Sequence, residues 1–132
     1  PQIVEYYKAL AAAGAPVIVY YIPGVTGMTA GMPELRMLLD IPGVAGIKMS
    51  DWNIFLLRSV VLEYPEKVVY SGFDEMLVPG LLYGADGCIG TWANLLPDLY
   101  AKVYARVRAG GTDAVKPVMD GRGLELRHYR YI

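Results

Sequence analysis

The sequence predicts an α/β fold on a parallel sheet, and three observations carry that prediction. Short β-branched or aromatic runs alternate with helical stretches along the chain. The runs are apolar almost throughout, the pattern of strands covered on both faces. Each is separated from the next by enough chain for a crossover helix, which parallel neighbours require and which places the units right-handedly on one sheet. With 132 residues, 55% of them hydrophobic, there is material for one core and one domain.

The elements follow in order. Apolar Ile3, Tyr6, Tyr7 and Leu10 recur at helical spacing and predict a helix to Ala13, with Gly14 at its C-cap. Pro16 opens the run Val17 to Tyr21, stopped by Pro23 and Gly24, which reads as a strand buried on both faces. A loop through Thr26 and Gly27 leads to a helix from Pro33 to Asp40, with Pro33 near its first turn. Ile41-Pro42-Gly43 breaks it, and Val44 to Met49 is a second buried strand. Asp51 is placed to cap a helix from Trp52 to Tyr64, Pro65-Glu66-Lys67 ends it, and Val68 to Ser71 is the third strand. Glu75 to Tyr83 reads as a buried helix capped by Gly84, Cys88-Ile89 as a short fourth strand, and Leu96 to Ala109 as a long amphipathic helix closed by Gly110-Gly111. Gly121 to Ile132 shows no period and is left unassigned, either a basic aromatic arm for a partner or a frayed terminus.

Composition excludes several functions. Lys plus Arg number 12 against 13 Asp plus Glu, so there is no basic footprint for nucleic acid or an anionic membrane. Every apolar run meets Gly, Pro or a charge before the roughly 18 residues that a bilayer requires, so no membrane partner is expected. A single cysteine, Cys88, and a single histidine, His128, argue against a disulfide and a zinc site, and no metal or other cofactor is expected. The sequence opens on a helical pattern at Pro1 without a signal-like segment, which places the expected location in the cytoplasm and reads as a start partway through a larger design.

Lys48 is the residue that points to chemistry. It interrupts an apolar strand near its carboxyl end, where burial would favour the neutral amine that attacks a carbonyl to form a Schiff base. The competing reading is a lysine that ends its strand and reaches water. Tyr20 stands at the matching place one strand earlier, and a phenol beside an amine can relay a proton. Ser50, Gly72, Asp74, Glu75 and Thr91 fall after the second, third and fourth strands, so small polar and acidic groups gather at one end of the sheet, where parallel α/β folds place their sites. Asp74-Glu75 reads equally as an acid/base pair and as helix-opening carboxylates. Cys88, in an apolar strand without a neighbouring base, reads as an inert thiol. Gly84 to Gly90 runs from helix into strand, the reverse of a dinucleotide fingerprint, and is read as structural.

The blocks Tyr20-Tyr21-Ile22-Pro23-Gly24-Val25-Thr26-Gly27, Gly46-Ile47-Lys48-Met49-Ser50-Asp51, Gly72-Phe73-Asp74-Glu75 and Gly84-Ala85-Asp86-Gly87-Cys88-Ile89-Gly90-Thr91 together resemble the dihydrodipicolinate synthase and N-acetylneuraminate lyase family. The resemblance implies a TIM (β/α)₈ barrel, with residues 1–119 supplying about four βα units, the C-terminal half, and 120–132 outside it. It implies a class I mechanism in which Lys48 forms an imine with pyruvate or a related 2-oxo acid and Tyr20 relays protons. Gly24, Thr26 and Gly27 would shape the pocket wall. Lys48 followed by Ser50, with the Gly-aromatic-Asp-Glu block, looks more like the lyase branch than the synthase branch, for which Glu at position 49 would have spoken. Ser50, Gly72, Asp74, Glu75 and Thr91 would then hold a polyhydroxylated aldehyde, as paired hydrogen bonds can.

A complete barrel takes about 250 residues, so the resemblance implies that the first half, which in the family carries the carboxylate-binding loop and a supporting tyrosine, is missing from this sequence. An open half barrel exposes strand edges and an apolar inner face, and it is expected to form a homo-oligomer or to pair with a missing half. Three readings stay open: a lyase, a synthase-type condensation of pyruvate with another aldehyde, and a binding or assembly module without turnover.

Overall fold

A computed structural model describes residues 2–111. Four strands, β1 (Val17–Tyr21), β2 (Val44–Met49), β3 (Val68–Ser71) and β4 (Gly87–Cys88), form one parallel sheet in the order β1-β2-β3-β4. Helix α1 (Gln2–Ala11) precedes the sheet; α2 (Pro23–Thr26) and α3 (Met32–Leu39) join β1 to β2. Helix α4 (Ile54–Glu63) joins β2 to β3, and a 3₁₀ turn (Asp74–Met76) with α5 (Leu77–Leu82) joins β3 to β4. After β4 come α6 (Trp92–Leu95) and α7 (Pro97–Arg108).

The first three strands have the bounds read from the sequence, because Pro, Gly and charged residues delimit each apolar run. Side chains alternate across the sheet. On the helix-facing side Val19, Ile47, Met49 and Val69 are buried against Leu35 and Leu39 of α3 and Leu57 and Val60 of α4. A second cluster joins Leu77, Val78 and Leu81 of α5 to Val103 and Val107 of α7. Arg36 and Glu63 tie α3 to α4 through a two-point ion pair, and the Tyr64 hydroxyl donates to Asp40 at 2.7 Å.

Four expectations are corrected. The first strand is buried on one face only: Ile18 and Tyr20, on the inner face of a strand that ends the sheet, are 37% and 47% exposed. There the Tyr20 amide donates to the Tyr7 hydroxyl at 3.2 Å rather than to a strand carbonyl. The loop through Thr26 is a single helical turn closed by Gly27 at φ 67°. Asn53, not Asp51, caps α4, its side chain accepting from the Leu56 amide at 3.0 Å, while Asp51 accepts from the Asn53 amide one turn earlier. The fourth strand is Gly87–Cys88, one residue earlier than expected. The unassigned stretch Gly121 to Ile132 lies outside the described residues.

Candidate active site

The carboxyl ends of the strands are brought level by the parallel register. Tyr20 pairs with Lys48, Lys48 with Tyr70, and Tyr70 with Gly87, so these positions share one transverse row on the inner face. The ladder extends one residue past each strand: the Ser50 amide donates to Tyr21 O at 2.8 Å, Gly72 to Met49 O at 2.8 Å, and Ile89 to Ser71 O at 2.9 Å. Ser50, Gly72 and Ile89 are thereby tied to the sheet by its own hydrogen bonds.

They line an open pocket of about 400 Å³. Tyr20 and Ile22 contribute from the first strand end, Lys48 and Ser50 from the second, Gly72 to Glu75 from the third, and Ile89 to Thr91 with Asn94 from the fourth. The Lys48 amine sits 4.2 Å from the centre of the Tyr20 ring. Ser50 donates to the Tyr20 hydroxyl at 3.3 Å. That bond, together with the Lys48 charge, favours the phenolate and outweighs partial burial, so the Tyr20 pKa lies below the ordinary phenol value. Gly72 makes the Ser50 position available: a Cβ at Gly72 would stand 2.0 Å from Ser50 Oγ. Ser50 is buried yet directed to the pocket, which fixes its rotamer.

Seven of the ten residues singled out from the sequence, Tyr20, Lys48, Ser50, Gly72, Asp74, Glu75 and Thr91, meet in this pocket. Gly24, Thr26 and Gly27 do not. Thr26 faces an apolar groove between α1, β1 and α3 and bonds Ile22 O at 3.0 Å, while Gly27 closes the short helix. Ile22, Phe73, Ile89, Gly90 and Asn94 line the pocket without having been singled out. The first four lie inside or beside the quoted blocks, whereas Asn94 carried no signal, because its short helix has no period of its own. Phe73 stacks on Trp52 with ring centres 4.6 Å apart at the pocket mouth. Met49 is buried on the helix-facing side and does not touch the pocket. Burial and the Asp74 charge push the Cys88 thiol up to about 11, in keeping with an inert thiol. Asp86 is structural: its carboxylate accepts from the Val69 amide at 2.8 Å.

The dihydrodipicolinate synthetase family model matches residues 1–128. The chain belongs to this family. N-acetylneuraminate lyases from Enterobacter sp. (strain 638) and Escherichia coli (strain SMS-3-5 / SECEC) are each 32% identical to it over 108 residues, 80% of this chain and 36% of theirs. Among solved structures, an N-acetylneuraminate lyase from Fusobacterium nucleatum superposes with a TM-score of 0.83 at 26% identity, over 92% of this chain and 42% of its own. The chloride-inhibited dihydrodipicolinate synthase from Acinetobacter baumannii, complexed with pyruvate, superposes with a TM-score of 0.80 at 30% identity, over 90% and 42%. The fold is thus that of the family's TIM barrel, and this chain supplies about four of its βα units. It spans well under half the length of these relatives. Among the described residues no helix is long and apolar enough to cross a membrane.

Proposed function

We propose that this chain carries the imine-forming half of a pyruvate-dependent class I lyase. The observation behind this reading is the amine of Lys48 held beside a Tyr20 phenol whose oxygen accepts from Ser50, all at the strand ends of a family member. In the reaction, the Lys48 amine gives up a proton and attacks the keto carbon of pyruvate or of a 2-oxo acid adduct. Loss of water from the carbinolamine leaves an imine, which stays protonated and draws electrons from the adjacent carbon. In cleavage, Tyr20 takes the proton of the hydroxyl at the breaking bond, the C–C bond opens to an enamine, and an aldehyde departs. The enamine carbon then takes up a proton to give the iminium of pyruvate, which water hydrolyses to release pyruvate and the Lys48 amine. In synthesis the same proton returns through Tyr20. Ser50, Glu75 and Thr91 supply hydrogen bonds for a polyhydroxylated aldehyde, the N-acetylneuraminate lyase-like preference. Condensation with another aldehyde, as in the synthase branch, uses the same imine.

The unit runs over residues 1–119, with 120–132 outside it. The open inner face calls for a second copy or the other half of a barrel. That same exposure favours a second reading, an assembly module without turnover, because an imine in an open pocket is exposed to hydrolysis. Incubation with pyruvate, borohydride reduction and peptide mass spectrometry separate the two: an adduct on Lys48 is expected, and its absence from folded protein would leave the module reading.

A further inference from the structure

Trp52 and Phe73 follow the ends of neighbouring strands, and their rings meet with centres 4.6 Å apart and planes 30° from parallel. Neither ring is taken into a core: Trp52 is 62% exposed and Phe73 is half-buried. Both stand on fixed backbone. The Phe73 carbonyl accepts from the Met76 amide at 3.0 Å and from the Ser71 hydroxyl and the Cys88 thiol, each at 3.4 Å. Trp52 sits in the turn before α4, where its carbonyl accepts from the Ile54 amide at 2.9 Å and the Asp51 carboxylate accepts from the Asn53 amide at 3.3 Å. The bond from the Gly72 amide to Met49 O joins the two strand ends that carry the rings. Phe73 lines the pocket together with Ile22 and Ile89, three side chains that offer no hydrogen bond.

We propose that Trp52 and Phe73 form an aromatic shelf at the pocket mouth, which selects an aldehyde carrying an apolar substituent at the end away from its carbonyl. An aldehyde bearing hydroxyls alone matches Ser50, Glu75 and Thr91 but would lose water against Ile22, Phe73 and Ile89 without a bond in return. An apolar group gains on the same surface, and the shelf is continuous with the pocket through Phe73, so one ligand can reach both. Aromatic rings suit the task because they bury a large area and hold flat partners in a preferred geometry. The stack also sets the Phe73 ring before the ligand arrives, so little ordering is left to be done on binding. That the ligand is an aldehyde rests on the lyase reading; that the shelf prefers an apolar group does not.

Titration of the full chain with glycerol and with its mono-benzyl ether tests the shelf without turnover. The ether is expected to shift the Trp52 indole N–H and the Phe73 amide signals at concentrations at which glycerol leaves both in place. In Trp52→Ala its binding, read at the Phe73 amide, should weaken severalfold, and Trp52→Phe should restore most of it. Three results would overturn the proposal: equal shifts with both compounds, no shift with either, or an indole signal that moves with protein concentration alone, as a second copy seated on the rings would cause. With pyruvate saturating, the ratio of kcat/KM for the benzyl ether of glyceraldehyde over glyceraldehyde itself is expected to fall severalfold in Trp52→Ala and to recover in Trp52→Phe. A loss of packing alone would lower both substrates together and count against selection. Absence of turnover in the unsubstituted chain would count against the lyase reading alone, because the two alcohols decide the preference of the shelf without chemistry.

Discussion

The two faces of the sheet are made by the same strands and differ completely in what covers them. On the helix-facing side Ile47 is fully buried, with Val19, Met49 and Val69 beside it. On the inner side Ile18, Tyr20 and Ile89 are between 37% and 47% exposed, and Lys48, which the proposed reaction uses together with Tyr20, lies among them. Period-2 alternation makes the division unavoidable, because successive residues point to opposite sides. One face is finished within this chain and supplies its stability. The other carries the candidate pocket and leaves apolar surface exposed.

Substitutions on the two faces sharpen or break this contrast. The largest effect is expected at Lys48: Lys48→Arg should abolish the borohydride-trapped pyruvate adduct while circular dichroism stays unchanged. An undiminished adduct would move the imine to another lysine. On the covered face, Ile47→Ala should cost about 2–5 kcal/mol by urea titration, the range for a large core residue cut to alanine, whereas Ile18→Ala on the open face should cost less than about 1 kcal/mol. Equal costs would mean that the inner face is covered in solution. Sedimentation checks the same point, with an assembly larger than the 14.5 kDa monomer expected and a single monomeric species that unfolds cooperatively contradicting it. The smallest effect is a titration. Ser50→Ala removes the donor that favours the Tyr20 phenolate, so the phenol should ionise at higher pH, moving back toward its ordinary value. An unmoved absorbance titration would show that Ser50 does not tune Tyr20.

Much of this organisation was legible in the sequence, for a physical reason. Val17 to Tyr21, Val44 to Met49 and Val68 to Ser71 are delimited by Pro, Gly and charge, and helices of ten or so residues such as Gln2–Ala11 are long enough to show a period. Most of the candidate pocket's lining was legible because a polar residue just past an apolar strand has few other reasons to be there. What escaped is short or relational. Pro23–Thr26 and Trp92–Leu95 are single turns, too brief for any period, and Asn94 was lost with the second. Asn53 takes the cap from Asp51 because both are competent residue types two positions apart, and backbone geometry chooses between them. The exposure of Ile18 depends on what lies across the inner face, which an apolar pattern does not report. The bond from the Thr91 amide to Asp74, and the Gly90 that leaves room for it, join positions sixteen and seventeen residues apart, which no local pattern reports.

Strand order in the sheet equals strand order in the chain. Each pairing therefore closes a loop of one βα unit, and none must wait for a distant segment to arrive. A chain leaving the ribosome can dock β2 on β1 once α3 exists, then β3 on β2, then β4 on β3, with the entropy of each closure met by the helix just added. Stepwise growth of this kind predicts protease-resistant intermediates that lengthen by one unit at a time from the amino-terminal side.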